Sequence, residues 1–386
     1  MRAAQRIANL PPYLFAEVDR RIAAKRAAGY DVISLGIGDP DLPTPRYILD
    51  ALVEAAGVPA NHRYPDYYGL AELRRAIARW YEGRFGVVLH PDTEVLPLIG
   101  SKEGIAHVAL ALVDPGDVAL VPSPAYPVYE IGTMLAGGEV YHLPLRPGHQ
   151  FLPDLDAIPQ GVLDRARVLW VNYPNNPTSA VAGPEFFERV VAFARRHDVI
   201  VLHDNAYSEV YYDGYRPGSF LQTAGARDVG VEFHSLSKSY NMTGWRIGMV
   251  VGHAAVIEAL GRVKTNVDSG IFQAVQYAGI VALTGDQSWI PARNAVYEKR
   301  RDLLIDVLQG LGIKVGRPRA SLYLWGPVPE GYGSLDFSVK LLDEIAVWVT
   351  PGVGFGPHGE GFFRISLTTP DDRVRQAAER LRQLRL

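Results

Sequence analysis

A lysine set among hydroxyls and followed by an arginine is the most specific chemical feature of the chain. The run Ser235-Leu236-Ser237-Lys238-Ser239-Tyr240-Asn241-Met242-Thr243-Gly244-Trp245-Arg246-Ile247-Gly248 brings Arg246 shortly after Lys238, just ahead of a strand-like stretch. A lysine amine becomes a useful nucleophile toward an aldehyde when burial and a nearby cation lower its pKa. An arginine fork holds phosphate oxygens through two parallel, charge-assisted hydrogen bonds. The plain alternative is a solvated lysine and a surface arginine in a flexible loop, which the tight Gly244-Trp245-Arg246-Ile247-Gly248 context disfavours.

Other polar clusters also follow short apolar runs. Residues 118–121 lead to Pro122, Pro124 and Tyr126, and 168–171 lead to Asn172, Pro174, Asn175, Asn176 and Pro177. Residues 199–202 lead to His203, Asp204 and Tyr207, and the run ending at Phe233 leads to His234 and the lysine cluster. Ligands of open parallel sheets bind beyond the carboxyl ends of the strands, so these clusters should share one edge. Loops after strands are polar whatever they do, but four in succession with complementary chemistry point to one site. Gly100-Ser101-Lys102-Glu103-Gly104 precedes an apolar stretch of helical length, where backbone N–H groups and the helix dipole favour a phosphate. An ordinary helix start with Ser101 as its cap is the competing reading. Pro97, in the run before it, argues against a regular central strand.

The elements that must position these residues follow from the patterning. Apolar runs alternate with helix-like stretches, which indicates an α/β fold with a largely parallel sheet. A large domain is expected over residues 39–284. A smaller α/β domain should combine 1–38 with 285–386, using a helix around 293–311, strands near 321–325 and 361–367, and a final charged helix. The 386 residues are 48% apolar with a net charge of −3, and no block of like charges marks nucleic acid or an anionic membrane as a partner. The absence of cysteine excludes disulfides, thiolate nucleophiles and Cys-ligated metals. No apolar run reaches spanning length and the first ten residues lack a signal-peptide core, so a cytoplasmic protein acting on a small polar substrate, with no metal, is expected.

The Ser-x-Ser-Lys run with Arg246, the Asn-Asn-Pro-Thr run at 175–178, Asp204-Asn205-Ala206-Tyr207 and Arg364-Ile365-Ser366 resemble, in order and spacing, the class I/II aminotransferases, the fold-type I pyridoxal-phosphate enzymes. The resemblance covers essentially the whole chain. It implies that Lys238 holds the cofactor aldehyde as a Schiff base and shuttles the substrate α-proton, and that Asp204 keeps the pyridine nitrogen protonated. Asn176 and Tyr207 would bond the phenolic oxygen of pyridoxal 5′-phosphate, Tyr126 would stack on its ring, and Ser101, Lys102, Ser235, Ser237 and Arg246 would surround its phosphate. Arg364 would grip the substrate carboxylate, with main chain at Gly38 close to the same group. Tyr64 would reach the phosphate of a neighbouring subunit, implying a homodimer with shared active sites.

The N-terminal Leu10-Pro11-Pro12-Tyr13-Leu14-Phe15-Ala16-Glu17, the Leu35-Gly36-Ile37-Gly38-Asp39 loop and the Gly-Ser-Lys-Glu-Gly run look like those of the LL-diaminopimelate aminotransferases. Tyr13 matches a substrate-side tyrosine of that group. Ser269, in Asp268-Ser269-Gly270, falls where many of those enzymes carry a longer asparagine near the substrate. The resemblance implies an amino acid donor, with LL-diaminopimelate leading, and 2-oxoglutarate as the acceptor. Aspartate, alanine or aromatic donors and a carbon–sulfur β-lyase activity are the alternatives of the same fold. A cofactor-binding regulator is the alternative of another class, and the chain before Leu35 is too short for its winged helix.

Overall fold

A computed structural model describes residues 4–8, 10 and 14–386, with the backbone alone for 14–19. The strands are β1 (Ile33–Ser34), β2 (Val95–Leu98), β3 (Val118–Ser123), β4 (Glu139–Pro144), β5 (Ala166–Val171), β6 (Ile200–Asp204), β7 (Gly230–Ser235), β8 (Gly248–Gly252), β9 (Tyr323–Pro327), β10 (Val347–Trp348), β11 (Thr350–Pro351) and β12 (Phe362–Ser366). Seven of them form one sheet in the order β2-β8-β7-β6-β5-β3-β4. β8 alone runs opposite to the other six strands of that sheet.

The sheet is buried on both faces, and the period of two along each strand sorts side chains between them. Val118, Leu120, Leu169, Val171 and Val201 enter one apolar cluster, with the helices Ala71–Phe85 and Pro184–His197. Ala119, Val121, Val168, Trp170 and Leu202 enter the other, under Ser101–Leu112 and Ala254–Val267. Pro97 lies in β2, an edge strand bonded on one side only, where a residue without an N–H is tolerated.

Because β8 is reversed, its entry end lies at the carboxyl edge of the other strands. Arg246, just ahead of β8, therefore meets the residues that leave β2, β3, β5, β6 and β7. Asp204 and Ser235, read as following their strands, are in fact the last residues of β6 and β7.

A third apolar cluster joins Ile33 and Leu35 to the long helix Ile290–Gly310, to β9 and β12 and to the last helix, Asp371–Arg382, and takes in Ala206, Tyr207, Val210 and Tyr212 as well. Its antiparallel sheet has the order β11-β12-β9, and β1 pairs in parallel with β10. Leu35 ties the N-terminal segment to this region, donating to the Trp348 carbonyl and accepting from the Ser366 N–H. The loop at 36–38 is thereby held between the small sheet and the edge of the large one.

Candidate active site

A cavity of about 450 Å³ opens at that junction. Gly38, Ser101, Lys102, Tyr126, Asn176, Asp204, Tyr207, Ser235, Ser237, Lys238, Arg246 and Arg364 all line it, though they come from segments spread over more than 300 residues of sequence. Tyr64 and Ser269 do not line it. Tyr64 is 85% exposed and Ser269 is exposed as well. Tyr13 lies outside the described residues.

Lys238 sits in a single helical turn, Leu236–Ser239, started by Ser235, whose Oγ accepts the Ser237 N–H at 3.2 Å. Arg293 braces the turn from the long helix, donating to the carbonyls of Lys238 (3.0 Å), Ser239 and Glu209. Lys238 Nζ donates to the Gly38 carbonyl at 2.9 Å. Burial lowers its pKa to about 8; Asp39 opposes that shift, while the charges of Arg246 and Arg364 add to it.

Asp204 ends β6 with its carboxyl buried. Oδ2 accepts from the Tyr129 hydroxyl at 2.7 Å, while Oδ1 has no hydrogen-bond partner. Burial pushes the carboxyl up to about 6, against the lowering effects of the Tyr129 bond and of His203. Tyr129 is itself fixed by stacking on Trp170, with centroids 4.5 Å apart. The Asn-rich run mostly builds its own turn: Asn172 accepts from the Asn176 N–H at 2.8 Å and donates to the Asp204 carbonyl at 2.6 Å, while Asn175 accepts from Thr178. Asn176 alone of the asparagines in this run lines the cavity.

Arg364, central in β12, is buried and donates through Nη1 to Asn176 Oδ1 at 2.8 Å and through Nη2 to the Gly36 carbonyl at 2.6 Å. Its Nε is unpartnered, and among the described residues no carboxylate pairs with it. The guanidinium lies 4.2 Å from the Tyr323 ring centroid and 4.6 Å from that of Phe355. A buried cation without an internal anion is costly, so the site is built to receive an anion. The Tyr207 and Tyr323 hydroxyls meet at 3.0 Å. Gly38 permits this packing, because a Cβ there would collide with the Tyr323 hydroxyl.

The helix Ser101–Leu112 begins at the same edge. Its cap is Gly100 at φ 72°, not Ser101, and no side chain caps it. A Cβ on Gly100 would collide with the Arg246 guanidinium, so glycine here lets the arginine lie against the helix start. The start of this helix, the Arg246 guanidinium beside it, Ser101 and Ser237 thus all line the cavity, and a helix N-terminus with an arginine favours an anion.

Comparison with known proteins decides the family. The model for "aminotransferase class I and II" matches residues 30–381. This chain belongs to the class I and II aminotransferases. It is 59% identical over 381 residues to an LL-diaminopimelate aminotransferase of Dehalococcoides mccartyi, covering 99% of this chain and 98% of that one. A protein of the same name from Moorella thermoacetica is 56% identical over 384 residues, covering 100% of this chain and 98% of its own. Among solved structures, substrate-bound BacF from Bacillus subtilis superposes with a TM-score of 0.94 at 36% identity, over 99% of this chain and 98% of that one.

Aminotransferases of this class use pyridoxal 5′-phosphate, and the cavity fits it. The unpartnered, buried Asp204 Oδ1 suits a protonated ring nitrogen, the amine of Lys238 suits an aldehyde, and the convergence at Gly100 and Arg246 suits a phosphate. Tyr129, Tyr323, Phe355 and Arg293 complete the surroundings without having stood out in the sequence, and Gly36 stood out only as part of the 35–39 run. Tyr129 carried the one available signal, its place three residues after Tyr126, whose ring it meets with centroids 5.8 Å apart.

Proposed function

We propose that this aminotransferase takes LL-diaminopimelate as amino donor and 2-oxoglutarate as acceptor, with Lys238 as its catalytic residue. The observation that carries the catalytic reading is the placement of three groups around one cavity: the Lys238 amine, the unpartnered Asp204 Oδ1 and the anion-free Arg364. The substrate reading is supported by the names of relatives that match over nearly their whole length.

Bound there, pyridoxal phosphate supplies an aldehyde for the amino group and a ring that draws electron density from the substrate α-carbon. Arg364 binds the substrate α-carboxylate and so orients the α-hydrogen toward Lys238. With a pKa of about 8, Lys238 Nζ holds a proton weakly enough to give it up and take another near neutral pH. Asp204 holds a proton on the ring nitrogen, and its burial makes that pairing strong. Asn176 and Tyr207 hold the phenolic oxygen, Tyr126 covers the ring, and Ser101, Lys102, Ser235, Ser237 and Arg246 hold the phosphate.

The working unit in this reading is a homodimer with shared sites. Tyr64 and Ser269, both outside their own chain's cavity, fall on one exposed surface: a Cβ on Gly270 would meet Pro65 Cγ at 2.9 Å, so the 268–270 loop packs beside Tyr64. A long donor needs polar groups for its distal ammonium and carboxylate, because a desolvated unpaired charge costs several kcal/mol; that surface on a neighbouring subunit is the source of those groups.

Measuring kcat/KM for LL-diaminopimelate, aspartate, alanine, phenylalanine and kynurenine with 2-oxoglutarate tests the substrate. LL-diaminopimelate should lead. A tenfold preference for any of the others, about 1.4 kcal/mol at the transition state, removes the narrow assignment and leaves the aminotransferase.

A further inference from the structure

The phosphate-side turn contains a carboxylate that the reading above leaves without a role. Glu103 lies in the first turn of the helix Ser101–Leu112, and its Oε2 accepts the Ile99 N–H at 3.2 Å, fixing the chain where β2 hands over to the helix. The bond shapes the turn. It also sets a negative charge within one helical turn of the N–H groups offered to a phosphate, where a second anion is repelled.

Lys264 meets that charge. It reaches from the helix Ala254–Val267 with a side chain only 2% exposed, and its Nζ lies 3.5 Å from Glu103 Oε2. The same ammonium donates to both oxygens of Asp268, at 2.9 and 2.8 Å, and Asp268 Oδ1 accepts the Gly270 N–H at 2.7 Å. His107 Nδ1 stands 2.9 Å from the other Glu103 oxygen. The two short motifs picked out in the sequence, Gly-Ser-Lys-Glu-Gly and Asp-Ser-Gly, are thus joined through one buried cation.

We propose that Lys264 is a positioning residue for the cofactor phosphate: it offsets the charge of Glu103 behind the 100–104 turn, at 3.5 Å, while its closer pair with Asp268 ties that turn to the 268–270 loop. The proposal rests on the reading of Gly100, Ser101, Ser237 and Arg246 as the phosphate cradle. A lysine here serves the cradle without touching the ligand, because the side-chain oxygen that the turn uses at Glu103 brings a negative charge that has to be offset.

Titrating cofactor-free protein with pyridoxal phosphate and with pyridoxal, which lacks the phosphate, separates this role from general structural damage. Lys264→Met should weaken pyridoxal phosphate binding about tenfold, the size expected of one uncompensated charge at this range, and change pyridoxal binding less than about twofold. Glu103→Gln keeps an oxygen for the Ile99 N–H and should bind pyridoxal phosphate at least as tightly as wild type. The double variant Lys264→Met/Glu103→Gln should recover wild-type affinity to within about threefold. Equal losses for both ligands, no recovery in the double variant, or weakened phosphate-dependent binding in Glu103→Gln alone overturns the proposal. Wild-type protein with no preference for the phosphate-bearing ligand overturns the cradle reading itself, and the proposal with it.

Discussion

Replacing Tyr129 by phenylalanine deletes one hydroxyl and leaves the ring stacked on Trp170. The lost bond is the 2.7 Å donation to Asp204 Oδ2, the carboxyl's one side-chain donor. A hydrogen bond to a charged group contributes about 1.5–3 kcal/mol, and one pKa unit corresponds to about 1.36 kcal/mol. In the cofactor-free protein the Asp204 carboxyl, already pushed up to about 6 by burial, should therefore rise further. A carboxyl that holds its own proton more firmly is a poorer partner for a protonated ring nitrogen, so kcat should fall about ten- to a hundredfold. KM should change little, because Tyr129 lies behind Asp204 and away from Arg364. Steady-state kinetics across pH, with the ¹⁵N shift of the labelled cofactor's ring nitrogen as a direct readout, checks both halves. An unchanged kcat profile together with a wild-type ¹⁵N shift would refute the reasoning.

The other predictions concern different parts of the site. Arg364→Lys keeps a charge but cannot reproduce the fork to Asn176 and Gly36; the substrate KM should rise about ten- to a hundredfold while the affinity for pyridoxal phosphate holds, and a parallel loss of both contradicts the assignment. In the cofactor-free protein, Lys238 binds fewer protons folded than unfolded between about pH 8 and its ordinary value of 10.5, so stability should rise with pH there. Asp204 binds more protons folded than unfolded between 3.8 and about 6, so its contribution falls as pH rises through that window. Denaturant midpoints of Lys238→Met and Asp204→Asn, compared with wild type, should show each slope flattened, and unflattened slopes count against these shifts. Mixing inactive Tyr64→Ala and Lys238→Ala subunits should restore part of the activity through hybrid dimers, and no recovery despite demonstrated exchange argues against shared sites.

The residues legible in the sequence are those whose chemistry is written locally. Lys238, Arg246, Asp204 and Asn176 stand at the ends of apolar runs, and the α/β alternation alone places those ends on one edge. Arg364 was legible through resemblance, and its neighbours Gly36 and Tyr323 were not, because their roles arise only when β12 and the 36–38 loop are brought together from opposite ends of the chain. Tyr129 and Trp170 read as ordinary core, since an aromatic in an apolar helix or strand is usually packing; one hydroxyl aimed at Asp204 separates the two readings. Arg293 reads as a solvated helix charge, yet it is buried and holds the Lys238 turn through main-chain carbonyls that no side-chain pattern announces. Ser101 as helix cap was the reverse case: the left-handed φ of Gly100 takes that position, and the reason is the arginine more than a hundred residues later. Ser269, expected beside the substrate, lies exposed and outside its own chain's cavity, and nothing local in Asp268-Ser269-Gly270 announces that placement.

The central claim is that Lys238 carries the cofactor, and covalent trapping tests it most directly. Protein reconstituted with pyridoxal phosphate is reduced with borohydride, digested and mapped by mass spectrometry. The cofactor mass should appear on the peptide containing Lys238 and be absent from Lys238→Ala, which should still bind cofactor reversibly through the phosphate groups. A label on another lysine, or none in fully reconstituted protein, would contradict the account.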